Sequence, residues 1–403
     1  MVELARRERL ESRFKQVFSG AEAVRLLTAP GRVNLIGEHT DYNGYPVLPI
    51  AVQKNICILF RPNDGARVKV CDVQESFGER EFSATDRIEP YPTGDWGNYV
   101  KAGVQALTER FGPLKGFDGV FSGNIPADAG LSSSSAMVVA SALALIHSNQ
   151  LSVDPLELMD LLAVGEHYVG TQGGGMDQAI CLGGEPQHAL KIDFFPLRVE
   201  PVPIRKDWSF VVAHSLSTAN KTRDALSKYN QRPQECREAT RQIAEAVGGL
   251  KAERLCRLAP RLAKEEILRL SEKHLDSVLN RRVRHVLTEG DRVEAAKKAL
   301  NASDLEAFGQ LMNQSHLSMR DDFEITTPEL DRLAAECLKG GAGGARMTGA
   351  GFGGCVVAVC LADRTQGLLE HLERTFYLNR PEISRFKEYL FVAEASRGAG
   401  LEP

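Results

Sequence analysis

The chain has 403 residues, of which 43% are hydrophobic, a length that exceeds what one hydrophobic core usually organises and predicts two domains. Its 49 lysines and arginines against 53 aspartates and glutamates leave a net charge of −4. No basic cluster is interleaved with aromatics, which argues against a nucleic-acid partner.

In chain order, apolar spacing predicts an amphipathic helix over 3–18 through Leu4, Leu10, Phe14, Val17 and Phe18. Strands are expected at 25–29, 46–60, 67–73 and 119–122, a helix from 130 through 136–140, and another over 155–169. Apolar strands follow at 188–194 and 209–214, then helical periodicity dominates 220–320. Within it Arg281-Arg282-Val283-Arg284-His285 reads as a solvated helix face. Strands at 344–347 and 355–361 flank a glycine-rich turn, and a last one is expected at 389–393. Strands and helices intermix without regular alternation, so the expected class is α+β, with mixed sheets and packed helices in domains 1–195 and 196–403.

The longest apolar run, 136–146, falls short of the ~20 residues of a membrane span, and the N-terminus carries no apolar targeting stretch, so the expected compartment is the cytosol. Eight cysteines without a Cys-x-x-Cys pair read as free buried thiols. No zinc-type spacing is present, so any metal is expected to arrive with a nucleotide.

Three stretches carry chemistry. The first runs from Pro30 to Gly44 and crowds Arg32, Glu38, His39 and Asp41 between turn-forming glycines. Carboxylates accept hydrogen bonds from sugar hydroxyls, and the arginine fork suits phosphate oxygens, so the stretch reads as a polyol site near a phosphate. Any one of these residues alone would read as a polar loop. The second, Pro126 to Ala136, sets Gly130 and the hydroxyls Ser132, Ser133, Ser134 and Ser135 before an apolar helical run, a helix N-terminus prepared for anions. One or two serines could be simple caps, but four exceed that need; the Walker A pattern is absent. The third, Gly173-Gly174-Gly175-Met176-Asp177-Gln178, places an acid after glycines that let backbone approach a ligand. Asp177 is the candidate proton acceptor, against the reading of a capped turn. A fourth stretch, Met347 to Cys355, is a glycine-rich loop that specifies nothing by itself.

The first stretch closely resembles the signature of galactokinases, within the GHMP family of small-molecule kinases. The second resembles that family's Pro-x-x-x-Gly-Leu-Ser-Ser-Ser-Ala motif, the third its Gly-x-Met-Asp-Gln motif, and the fourth its C-terminal glycine-rich loop. The resemblance implies a two-domain GHMP fold with the active site in the cleft between domains, and transfer of phosphate from ATP to the anomeric hydroxyl of D-galactose, giving α-D-galactose 1-phosphate. It implies Asp177 as base with Arg32 as partner, and Glu38, His39, Asp41, Gly174 and Tyr229 against the sugar. Gly130, Leu131, Ser132, Ser133, Ser134, Ser135 and Ala136 would wrap the nucleotide, with Ser134 and Glu166 on Mg²⁺. A glutamate such as Glu166 reads equally as a surface helix residue, Tyr229 as a packing tyrosine, and Trp96 as core packing beside a family nucleotide contact. The Gly-Gly-Met-Asp pattern is shared by plant and fungal galactokinases and N-acetylgalactosamine kinase, so N-acetylgalactosamine is the alternative substrate. A non-catalytic galactose sensor is disfavoured because the serine stretch is intact. The sequence does not encode an oligomeric state, and a monomer is compatible with it.

Overall fold

The computed structural model describes residues 2–19, 24–85, 87–126, 129–217, 223–378, 380 and 386–402. The strands are β1 (Arg25–Asn34), β2 (Pro49–Pro62), β3 (Arg67–Asp72), β4 (Arg80–Ser83), β5 (Phe117–Gly123), β6 (His188–Asp193), β7 (Arg198–Pro203), β8 (Trp208–His214), β9 (Gly344–Thr348), β10 (Cys355–Leu361), β11 (Leu390–Ala393) and β12 (Gly400–Leu401). The helices that matter here are α1 (Leu4–Val17), α2 (Gly97–Phe111), α3 (Ser133–Asn149), α4 (Pro155–Gly165), α5 (Met176–Gly183), α6 (Arg223–Ala246), α7 (Lys264–His274), α8 (Ser277–Ala302), α9 (Leu305–Ser318) and α10 (Pro328–Lys339).

One sheet has the order β12-β1-β2-β5-β3-β4, in which only β3 and β5 run parallel; a second, antiparallel throughout, has the order β11-β8-β10-β9. Helices α2, α3 and α4 cover one face of the first sheet with Val100, Val104, Val138, Val139 and Leu162, all fully buried. At about 1.5–3 kcal/mol per buried large aliphatic or aromatic side chain, such positions fix the layer. Leu10 and Phe14 of α1 seal the other face. Between the two sheets lies a shared apolar cluster, with Val33, Ile50 and Val52 from the first sheet and Leu35 just beyond β1 against Phe210 and Val357 from the second and Phe308 and Met312 from α9.

Several expectations shift. Strand β1 continues past Pro30 and Gly31 to Asn34 because β2 absorbs a register shift between Pro30 and Arg32; such a bulge re-aims a side chain, here Arg32 toward the cleft. Helix α2 was not anticipated, although Val100, Val104 and Leu107 carry its spacing. The stretch after the three glycines is not only a turn but the start of α5. The β6–β7 hairpin straddles residue 195, with paired strands on both sides of it, and the tail returns to the first sheet as β12 on β1. The run 281–285 lies on α8 as expected, but Arg282 and His285 are buried, the arginine between Glu235 (2.7 Å) and Glu324 (2.8 Å). All eight cysteines are free, and only Cys256 is not buried.

Candidate active site

A cavity of about 330 Å³ opens where the two sheets meet and is lined by Arg32, Glu38, His39, Asp41, Gly130, Ser132, Ser134, Glu166, Gly174, Asp177 and Tyr229, among others. On its floor Arg32 grips Asp177 with both arms of its fork, Nε to Oδ1 at 2.8 Å and Nη2 to Oδ2 at 3.1 Å. The remaining arm, Nη1, donates to the Gly130 carbonyl. Burial alone would lower the Arg32 pKa; the Asp177 and Glu38 charges and the hydrogen bond to Asp177 together outweigh it and the pKa is raised, so the guanidinium stays charged. A third donor, the Ser132 hydroxyl, also reaches Asp177 Oδ2.

That bond explains a local oddity. Ser132 occupies the N-cap position of α3 in the left-handed region (φ 58°), yet its side chain does not cap the helix. It is turned to Asp177, and among the described residues no side chain caps the first turn, whose N–H groups are left for a ligand. Ser134 faces the cavity, Ser133 is half-buried, and Leu131 and Ala136 point into the core. Ser135 turns inward to donate to Glu166 Oε2 at 2.7 Å, and Gln178 Nε2 donates to the same oxygen. Burial, with Asp177 nearby, pushes the Glu166 carboxyl up to about 7. Glu166 is buried rather than on a helix surface.

On the opposite wall, Asp41 Oδ1 accepts from the Tyr42 N–H at 2.9 Å and Oδ2 from Gly174 N–H at 3.2 Å and Met176 N–H at 3.4 Å. Burial raises Asp41 to about 6. Gly174 can be nothing larger, because a Cβ there would lie 2.2 Å from the Tyr42 nitrogen. Burial lowers His39 to about 3, so the ring is neutral. Its Nε2 donates to the Ala350 carbonyl at 3.2 Å, and Nδ1 therefore accepts from the Tyr42 hydroxyl at 2.8 Å. Both nitrogens are engaged within the protein; a hydroxyl contact through either would break one of these bonds. The ring face meets Tyr229, centroid to centroid 5.4 Å. Glu38, 2% exposed, accepts from Gly349 N–H at 2.9 Å through Oε1. Trp96 lies outside this cavity, partly buried against the first core.

Backbone contacts tie three of the four stretches together, and the third is held to the first through Asp41, which accepts from the Gly174 and Met176 N–H groups. Arg32 N–H donates to the Leu131 carbonyl at 3.1 Å, joining the first to the second. Gly349, at φ 94°, sits against Gly130, where a Cβ would come within 2.6 Å of the Gly130 oxygen, joining the second to the fourth. Sequence reasoning missed Gln178, which follows Asp177 in the third stretch, and Arg346, which pairs with Glu38 at 3.5 Å. Gln178 was within reach, since helical spacing sets it on α5 beside the cleft; nothing local marks Arg346.

Residues 12–62 match the galactokinase galactose-binding signature, residues 98–185 the GHMP kinase N-terminal domain and residues 296–378 the GHMP kinase C-terminal domain. The galactokinase of Lactococcus lactis, solved in complex with galactose, is 32% identical with a TM-score of 0.85, covering 97% of this chain and 98% of its own. The fold alone is shared with the mevalonate kinase of Methanococcus jannaschii (17% identity, TM-score 0.61, 95% of this chain and 100% of that one). The same holds for the homoserine kinase of Cytophaga hutchinsonii (16%, 0.59, 96% and 99%). A floor of arginine and aspartate beside an uncapped helix N-terminus thus sits in a chain whose length and fold match throughout, and the chain belongs to the galactokinase family of GHMP kinases.

Proposed function

We propose that the enzyme transfers the γ-phosphoryl group of ATP to the anomeric hydroxyl of D-galactose, giving α-D-galactose 1-phosphate and ADP. The observation that carries the reading is the Arg32–Asp177 pair held at the foot of α3, with Asp41 and Glu38 on the facing wall. In this reading Asp177 accepts or orients the anomeric proton while Arg32 offsets the charge spread over the transferring phosphoryl. The N–H groups at the start of α3 and the Ser134 hydroxyl take the phosphates. Asp41 and Glu38 accept from sugar hydroxyls, and Tyr229, packed against His39, gives the ring an apolar wall.

Ser134 and Glu166 are the residues that would hold Mg²⁺. They are hard oxygen donors, and among the described residues no group of three acidic, histidine or cysteine side chains forms a metal cage. Two protein ligands, with phosphates and water completing the shell, is the pattern Mg²⁺ favours. When bound, the ion supplies neutralisation of phosphate charge. The division near residue 195, the cytosolic location and a monomeric state remain part of this proposal. A coupled assay of ADP release with galactose, N-acetylgalactosamine, glucose and arabinose tests it. Release with galactose above the others is expected; background release with galactose and turnover of another sugar would replace the substrate.

A further inference from the structure

Glu38 is buried, and a carboxylate that must accept from a sugar has to stay ionised and aimed without help from water. Its nearest cation is not on its own loop. Arg346, on β9 three residues before Gly349, is fully buried and does not line the cleft. Its Nη1 donates to the Asn34 carbonyl at 2.9 Å and lies 3.5 Å from Glu38 Oε1; its Nε donates to Ser315 Oγ at 3.1 Å. The second carboxylate near it is Glu289 on α8, at 4.0 Å. Glu289 is already provided for, by Arg292 at 2.6 Å, Ser315 Oγ at 2.6 Å and the Gly37 N–H at 2.9 Å. Burial would raise Glu289, but Arg292, His285 and Arg346 outweigh it and hold it down to about 2. Arg32, the other cation acting on Glu38, has its fork committed to Asp177. Among the described residues, Arg346 is therefore the cation at ion-pair distance whose charge is left for Glu38.

We propose that Arg346 is a positioning residue for sugar recognition: together with the Gly349 N–H it pins Glu38 Oε1, so that Oε2 is presented, ionised, to a sugar hydroxyl. The inference rests on the galactokinase reading. Both contacts end on the same oxygen, and both come from the strand and loop that the second sheet contributes, so the sugar wall on the first sheet is aimed by the second. A merely structural arginine would need the two carboxylates but would have no stake in which oxygen of Glu38 is held. The charged groups around Glu38 are Arg346 from β9, Arg32 from β1, Asp41 from its own loop and Glu289 from α8; His285 on α8, which burial lowers to about 4, is neutral, and its Nε2 donates to the Glu38 carbonyl oxygen at 3.1 Å. Burial raises the Glu38 pKa against the pull of Arg346 and Arg32; removing Arg346, the larger of the two, leaves burial and the like charges of Asp41 and Glu289 opposed chiefly by Arg32 and favours the protonated form further.

The test compares wild type, Arg346→Met, Arg346→Lys, Glu38→Gln and the Arg346→Met/Glu38→Gln double variant, with KM for each substrate and kcat measured from about pH 6 to 9. Arg346→Met is expected to raise the galactose KM about 10- to 100-fold with the ATP KM within about twofold. Its kcat/KM for galactose should rise with pH along an acid limb displaced upward from that of the wild type, where Asp41 sets a limb near 6, because Glu38 then loses its proton only at higher pH. Arg346→Lys should recover part of the loss, and the double variant should lose little more than Glu38→Gln alone. A folded Arg346→Met with the wild-type galactose KM and pH profile overturns the proposal, as do equal losses toward ATP and galactose or strictly additive losses. If Arg346→Met fails to fold, Arg346→Lys decides: unchanged galactose KM there reduces Arg346 to a structural cation. Should the wild type prefer another sugar, the substrate reading fails by itself, and the same comparison run with that sugar still judges Arg346.

Discussion

Replacing Asp177 by asparagine removes one charge from the floor of the cleft and leaves its outline intact. Oδ2 accepts from both Arg32 Nη2 and the Ser132 hydroxyl, so the asparagine oxygen is best placed there. The amide nitrogen then takes the Oδ1 position and meets Arg32 Nε, donor against donor, across the former 2.8 Å bond. One charge-assisted hydrogen bond is lost, about 1.5–3 kcal/mol. Arg32, 6% exposed, also loses its counter-charge; breaking a buried pair costs about 3–5 kcal/mol. The Asp177 side chain is 25% exposed, and solvent screening there sets the expectation at the lower end, about 3 kcal/mol in urea unfolding of the free enzyme. In catalysis a true base should lose roughly 10²- to 10⁴-fold in kcat with modest change in galactose affinity. Arg32→Lys keeps the charge without the fork and should also lower kcat. Because both act on the same atoms, the double variant should lose less than the sum. Near-wild-type turnover in Asp177→Asn would refute the base, leaving a loose transition state that needs only an oriented hydroxyl; strictly additive losses would refute the coupling.

Asp41→Ala leaves sugar hydroxyls without their acceptor and should weaken galactose binding, read by calorimetry, by roughly 1–3 kcal/mol. Since burial raises Asp41 to about 6, it is protonated below that pH, and kcat/KM for galactose should fall on the acid side of about 6; a profile flat to pH 5 removes Asp41 from the sugar site. The stability sign is the reverse: this carboxyl favours folding most below its ordinary value of 3.8, and that contribution is lost as pH rises through about 6. Glu166→Ala should raise the Mg²⁺ concentration needed for half-maximal rate while sparing galactose binding measured without nucleotide, and an unchanged Mg²⁺ dependence would deny it the metal. Gly349→Ala drives a Cβ to within 2.6 Å of the Gly130 oxygen, so KM for ATP and galactose should both rise; normal values for both would show that the fourth stretch can yield without cost.

Much of this site was legible because its residues lie close in sequence. Gly130 and the serines announce an anion site through local spacing, and Asp177 through the glycines before it, since backbone geometry over a few residues is a local property. The partners were not legible in the same way. Ser132 and Ser135 read as hydroxyls that wrap the nucleotide, but Ser132 bonds Asp177, 45 residues away, and Ser135 bonds Glu166, 31 residues away. His39 reads as a hydroxyl ligand, but Tyr42 and a carbonyl 311 residues distant engage its nitrogens. Arg282 and His285 read as solvated because the sequence of one helix cannot say that Glu235, Glu324 and the Glu38 carbonyl face it. In each case the missing information is tertiary, a contact whose partner no local period encodes. Helix α2 is the exception, its spacing present and overlooked beside the turn-like Trp96-Gly97-Asn98.

The contacts also divide the labour between the two sheets. Arg32, Ser132 and Asp177 all belong to β1, the α3 cap and α5, elements packed on the first sheet, so the reacting pair is complete without the second. Glu38 and His39 are different: Glu38 Oε1 is held by Arg346 on β9 and by Gly349 in the loop after it, and His39 Nε2 by Ala350 in the same loop, while His39 Nδ1 is held locally by Tyr42. The apolar cluster between the sheets, with Val33 and Leu35 against Val357 and Phe308, keeps these donors in register with the sugar wall. A disturbance of the second sheet should therefore reach sugar affinity before it reaches the phosphoryl-transfer step. It also explains why the first stretch alone, rich as it is in polar groups, could not form the site: Glu38 and His39 are aimed in part by Gly349 and Ala350, each 311 residues further along the chain.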